Sequence, residues 1–256
     1  MSDSASTEKP YPYPTQPTDR VQRWLDKKGP ADWYYFLPMA VFLLLLLPLG
    51  WDGWDFPVRL AQLLGVGALL IWTWPRLTKI ERTKSHTLIG IFIGLVGLVQ
   101  WIGMDKALRS VSWLSWTYYG YGPGDEDAFM PDIWTAATLP VVIIVRMAIS
   151  SIVVPVMEEI FWRDFLWRTL ASPNDMHKQG VGEYDHIAFF GTAVAFATVH
   201  PQWLVAIGYG LLMSWLIWKT KSLWSVIVAH AVTNFTLWLY VLIAWYGFGK
   251  DEWYFW

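Results

Sequence analysis

Seven residues of this chain have types and spacings that could do chemistry: Glu158, Glu159 and Arg163, then Phe196 and His200, then His230 and Asn234. They lie in stretches otherwise almost without charge. An ionisable group at bilayer depth costs ~2.5–3.5 kcal/mol on insertion scales, so such groups face a cavity or a partner and mark function. Residues four apart share a helix face, so Glu159 and Arg163 pair and one carboxylate is neutralised. Glu158 sits ~100° further round the helix and is left as a base. His230 and Asn234 also share a face, and both can donate hydrogen bonds to an oxyanion. Pro201 disfavours helical backbone at His200, so that histidine ends its helix, where it can hold a water against Glu158. A base, a proton shuttle and an oxyanion hole suit hydrolysis of a peptide bond by direct attack of water.

Each residue also has a plainer reading. A histidine or asparagine inside a membrane helix often serves as an interhelical hydrogen bond. Phe196 is expected to pack on its own turn and the next helix. Asp164 and Arg168 form a second i,i+4 pair, read as ordinary structure. Arg146 is expected to snorkel or to pair with a neighbouring helix. His86, His177 and His186 lie at segment edges or in loops and receive no role. A rival chemistry takes Glu158, His200 and His230 as zinc ligands, although the helical His-Glu-x-x-His pattern is absent. A non-enzymatic scaffold or immunity protein is the third reading.

These residues must be positioned by membrane helices. The chain has 256 residues, of which 55% are hydrophobic and 16% charged, against about 25% charged in ordinary soluble domains. Residues 34–50, 87–104 and 222–249 contain no Asp, Glu, Lys or Arg. Such runs match a hydrocarbon core that needs ~17–25 helical residues, and backbone groups deprived of water favour helices. Seven apolar segments are expected, at 34–50, 60–74, 87–104, 133–157, 187–199, 203–218 and 223–247. An eighth arises if Arg146 and Pro155 split the fourth, which could instead run on through Trp167. The fold class is therefore all-α, a polytopic bundle of seven to eight transmembrane helices around a polar intramembrane cavity.

Twenty tryptophans, many near segment ends (Trp51, Trp54, Trp72, Trp74, Trp113, Trp116, Trp253, Trp256), read as an interfacial belt. The absence of cysteine excludes disulfides and thiolate chemistry, and a net charge of −2 gives no sign of nucleic acid. No cleavable signal is visible in the polar start, so the first apolar segment is expected to act as an uncleaved anchor. Lys9, Arg20, Arg23, Lys27 and Lys28, with Arg76, Lys79, Arg82 and Lys84, outnumber Arg59, Lys106 and Arg109 in the alternate loops. The N-terminus is therefore expected in the cytoplasm. The histidines pose a problem of depth. His200 ends one segment, whereas His230 lies ~10 Å into another. They meet only if the helix between them is tilted or short, or if His200 lies deeper than its segment end suggests.

The ordered trio Glu158-Glu159-x-x-x-Arg163, Phe196-x-x-x-His200 and His230-x-x-x-Asn234 resembles the CAAX protease and bacteriocin-processing family of intramembrane glutamic peptidases. The resemblance covers about residues 145–242. It implies that Glu158 and His200 activate water, that His230 and Asn234 hold the oxyanion, and that Glu159, Arg163 and Phe196 are structural members of the motifs. It implies no cofactor, with zinc only under the rival chemistry. The partners implied are the bilayer and a membrane-associated peptide or protein substrate, lipidated ones included. The expected location is a bacterial inner membrane. One departure is Trp162-Arg163-Asp164, where the family often has Phe-Arg-Gly. The expected organisation is a polar, disordered cytoplasmic tail at 1–33, N-terminal membrane helices at 34–132, a catalytic membrane core at 133–249 and a short tail at 250–256.

Overall fold

The computed structural model describes residues 32–49, 55–111, 113, 139–250, 252 and 255. The expected N-terminal tail up to residue 31, the loop at 119–132, the start of the fourth segment and most of the C-terminal tail lie outside them, as do Trp51, Trp54, Trp116, Trp253 and Trp256. The described residues form helices joined by short links, with no strand among them. Seven helices follow the seven apolar segments: α1 (Trp33–Leu44), α2 (Asp55–Arg76), α3 (Lys84–Arg109), α4 (Leu139–Ala171), α5 (His186–Ala197), α6 (Trp203–Thr220) and α7 (Leu223–Phe248). Five of them, α2, α3, α4, α6 and α7, are long and apolar enough to cross a membrane. The other two have 12 residues each, about 18 Å at helical rise.

From Leu139 onward the fourth apolar segment is one helical run, continuing past Trp167 to Ala171. Two π-helical stretches, Ile149–Val153 and Ile160–Leu166, interrupt its regular winding on either side of the short α-helical piece that ends at Glu159. Pro155 is the second residue of that piece, in its first turn. A proline is tolerated in a first turn, where its missing N–H has least to bond. The helix therefore absorbs Pro155 without breaking.

Helices α3 and α7 pack closely along their length, and small residues make it possible. A Cβ on Gly90 would come within 2.7 Å of the Ser225 carbonyl oxygen, and one on Gly94 within 2.6 Å of that of Ala229. Gly97 faces Tyr209 and Thr233 as tightly. Facing pairs climb both helices in the same direction, so the two run parallel. In lipid, where apolar surface alone gives no preference for a neighbouring helix, such approach is how packing holds helices together. Thr233 donates to the Gly94 carbonyl at 2.8 Å, and Trp224 Nε1 donates to Thr87 Oγ1 at 2.9 Å. Near the other end, Lys106 donates to Glu252 at 2.6 Å and to the Tyr240 hydroxyl at 2.7 Å. These contacts set the height of α7, and with it that of His230 and Asn234.

Helices α5 and α6 form a tight antiparallel hairpin, with Gly210 against Ala193 and Thr192 Oγ1 3.4 Å from Ser214 Oγ. His200 sits in its turn. At the far end of α4, Arg168 is paired with Asp164 and donates to Thr78 Oγ1 and to the carbonyls of Met176 and Gln179. His177 bonds Asp32 at 2.9 Å, and Tyr35 bonds Thr78 at 3.2 Å. This polar knot ties α1, the link before α3, α4 and the link after it into one end of the bundle.

Candidate active site

Glu158 and Glu159 are adjacent on α4, both buried, yet they meet different surroundings. Glu159 is fully enclosed and its Oε1 has two partners. Arg163 Nη1 donates to it at 3.3 Å, and His230 Nδ1 lies 2.8 Å away. The Arg163 guanidinium also rests on the Phe196 ring, 4.8 Å from its centroid. Among the described residues neither Glu158 Oε2 nor Glu159 Oε2 has a hydrogen-bond partner, and only the Oε1 of Glu159 is bonded as above. A buried carboxylate oxygen without a donor is costly, so its presence marks a place where another polar molecule belongs.

His200 is held by its own turn. Its Nδ1 lies 2.8 Å from the Phe196 carbonyl oxygen, which makes Nδ1 the protonated nitrogen and leaves Nε2 as an acceptor in the neutral ring. The Phe196 ring lies 4.2 Å from the His200 ring and 6.1 Å from that of His230. Both imidazoles are thus within a ring's width of one buried phenyl group. Glu158 and His230 are close enough to act on His200 electrostatically. The two histidines do come together: Phe196, in the last turn of the 12-residue α5, has both rings as neighbours.

Asn234 is one turn beyond His230 on α7. Its Nδ2 donates to the Ser150 carbonyl at 2.7 Å, and Trp238 Nε1 donates to Ser150 Oγ at 2.6 Å. Ser150 belongs to the π-helical stretch of α4, and such single-turn departures often occur at functional sites. An amide nitrogen carries two hydrogens, so one remains for a ligand. The rest of the site includes residues that the sequence did not single out. Tyr209 is buried, its ring 5.7 Å from both His230 and Trp101, and its hydroxyl donates to Thr233 at 3.1 Å. Trp101 meets His200 edge-on at 5.8 Å. A tyrosine inside an apolar run was the only local signal, and it does not reveal a neighbour.

His200, His230, Asn234 and Phe196 line one cavity of about 230 Å³, together with Arg146, Ser150, Val154, Tyr209 and an apolar wall that includes Leu237, Trp238 and Val241. Glu158 is not on that lining; it lies one helical turn beyond Val154, which is. Glu159 and Arg163 are buried behind it. Among the described residues no three His, Asp or Glu side chains gather as a metal-holding cluster.

Residues 140–236 match the family model described as type II CAAX prenyl endopeptidase Rce1-like. This segment is an Rce1-like domain. No curated protein and no solved structure matches the chain. The Rce1-like domain begins one residue into α4, ends midway along α7, and encloses all seven site residues, while α1 to α3 lie before it. The family that this segment matches is one of endopeptidases, and five helices of the chain are long and apolar enough to cross a membrane.

Proposed function

We propose that this chain is an intramembrane endopeptidase that hydrolyses a peptide bond of a membrane-associated substrate, lipidated peptides included, with Glu158 as the base. The observation that carries this reading is the opening of His200, His230 and Asn234 onto one cavity beside a buried carboxylate whose Oε2 has no partner among the described residues. Glu158 takes a proton from a water held by His200 Nε2, and the water oxygen bonds to the scissile carbonyl carbon. The carbonyl electrons move onto oxygen, where the second Asn234 N–H and His230 Nε2–H meet the charge. Glu159 Oε1, 2.8 Å from His230 Nδ1, holds that ring in place. Collapse of the tetrahedral intermediate breaks the C–N bond, and the leaving amine takes up the proton from Glu158.

The setting goes with the chemistry. Seven or eight spans surround a hydrated intramembrane chamber, and the N-terminus faces the cytoplasm of a bacterial inner membrane. The excess of Lys and Arg before α1 and between α2 and α3 supports that orientation. Membrane peptides from cells carrying the wild-type protein and Glu158→Gln test the reading. At least one membrane-linked peptide should be cut in the wild type alone. Identical peptide sets would contradict it.

A further inference from the structure

The cavity reaches towards one end of the bundle and is filled in towards the other. Only Lys221 and Ser222 join α6 to α7, and Lys221 Nζ donates to the Gly182 carbonyl in the link after α4. That end, which also carries the polar knot, is the base. From it α7 rises for 26 residues and α6 for 18, ~39 Å and ~27 Å at helical rise. The α5–α6 turn that carries His200 therefore stops ~12 Å short of the far end of α7. This leaves a recess above the histidine. Gln202 in that turn lines the cavity, and so does Phe255, which lies past α7 with its ring 6.0 Å from that of Tyr240. The lowest lining residue on α7 is His230, ~10 Å above the base. Further down, α4 fills the interior with Arg163, Trp167 and Arg168, all buried.

The two ends also differ in charge. The base carries Arg76, Lys79, Arg82 and Lys84 between α2 and α3, Lys178 after α4, and Lys219 and Lys221 where α6 meets α7. The N-terminal sequence, with its own Lys and Arg, runs into Asp32, which His177 bonds at the base. At the far end the described residues carry Arg59, Lys106, Arg109 and Lys250, and the link at 110–138 contains no Lys or Arg. Lys and Arg in short links are retained on the cytoplasmic side of a membrane. We infer that the base is cytoplasmic and that the cavity opens on the opposite face and takes its substrate from there. This assignment rests on the peptidase reading and deepens it. The substrate class is an exported chain held at the membrane, whose peptide bond enters the recess from the non-cytoplasmic side. A chain that stays in the cytoplasm meets only the filled base.

The absence of cysteine makes the test direct, because a single introduced thiol reports on one position. Full-length Leu237→Cys and Val154→Cys place a thiol on the cavity lining, while Lys178→Cys and Lys250→Cys mark the exposed surface at the base and at the far end. Right-side-out and inverted membrane vesicles are treated with a membrane-impermeant methanethiosulfonate bearing a trimethylammonium group, which reacts with the hydrated thiolate. Leu237→Cys, Val154→Cys and Lys250→Cys should be labelled in right-side-out vesicles, and Lys178→Cys in inverted vesicles alone. Lining thiols labelled only in inverted vesicles, or in neither kind, would overturn the assignment, and so would Lys178→Cys labelled from outside. Two lining positions on different helices keep the test decisive if one variant fails to fold. Labelling needs no catalysis, so the two readings can fail separately. Outside labelling with no peptide difference between wild type and Glu158→Gln would leave the opening in place and overturn the peptidase reading. Cleavage confined to cytoplasmic segments would do the reverse.

Discussion

Helix α4 carries the same local pattern twice, an acid followed four residues later by an arginine, and the two copies serve different ends. Asp164 and Arg168 face the links around α4, where Arg168 also gathers Thr78 and the carbonyls of Met176 and Gln179. Glu159 and Arg163 face the interior, where Glu159 also meets His230 across 71 residues of sequence. The first pair is a staple. The second holds an imidazole against the cavity. Within the helix the two are indistinguishable; what differs is the element packed against each.

That contrast can be broken at several points. Glu159→Gln should cut turnover by about 10²–10³, the scale seen when an oxyanion donor is lost. It should also destabilise the protein, because a buried Arg163 loses its charge partner at a cost of ~3–5 kcal/mol. Kinetics and thermal melting on the same preparation would show both losses. Asn234→Ala should reduce turnover by about 10² with a smaller loss of stability, since only the bond to Ser150 is removed. Asp164→Asn should do the reverse: a lower melting temperature, with turnover per folded molecule within about twofold of wild type. A large loss of turnover there would erase the distinction between the two pairs. Chelation should have the smallest effect. Activity should survive prolonged chelator treatment, whereas lasting loss restored by zinc would turn Glu158, His200 and His230 into ligands.

The sequence made some of this legible because it is local. Charge-free runs of membrane length mark helices, and all-helical structure is what the described residues show. Five of the seven apolar segments become helices long enough to span; α1 and α5 are shorter. Spacings of four mark Glu159 with Arg163 and His230 with Asn234 as sharing faces. The rest depends on contacts between distant segments. Hydrophobic periodicity does not reveal that Glu159 also reaches His230, that Tyr209 lies beside that ring, or that Asn234 bonds a carbonyl of Ser150. The π-helical stretches of α4 leave no compositional mark, and they change which residues look into the cavity. Arg146 was expected to snorkel or pair; the cavity it lines exists only after α4 and α7 have packed.

The comparison between adjacent glutamates comes down to turnover of the cut peptide by purified wild-type protein and by Glu158→Gln. The account expects Glu158→Gln to fall to less than about a hundredth of wild-type turnover, with an unchanged melting temperature, because no partner among the described residues is lost at Oε2. Turnover within about tenfold of wild type would mean that another group activates the water.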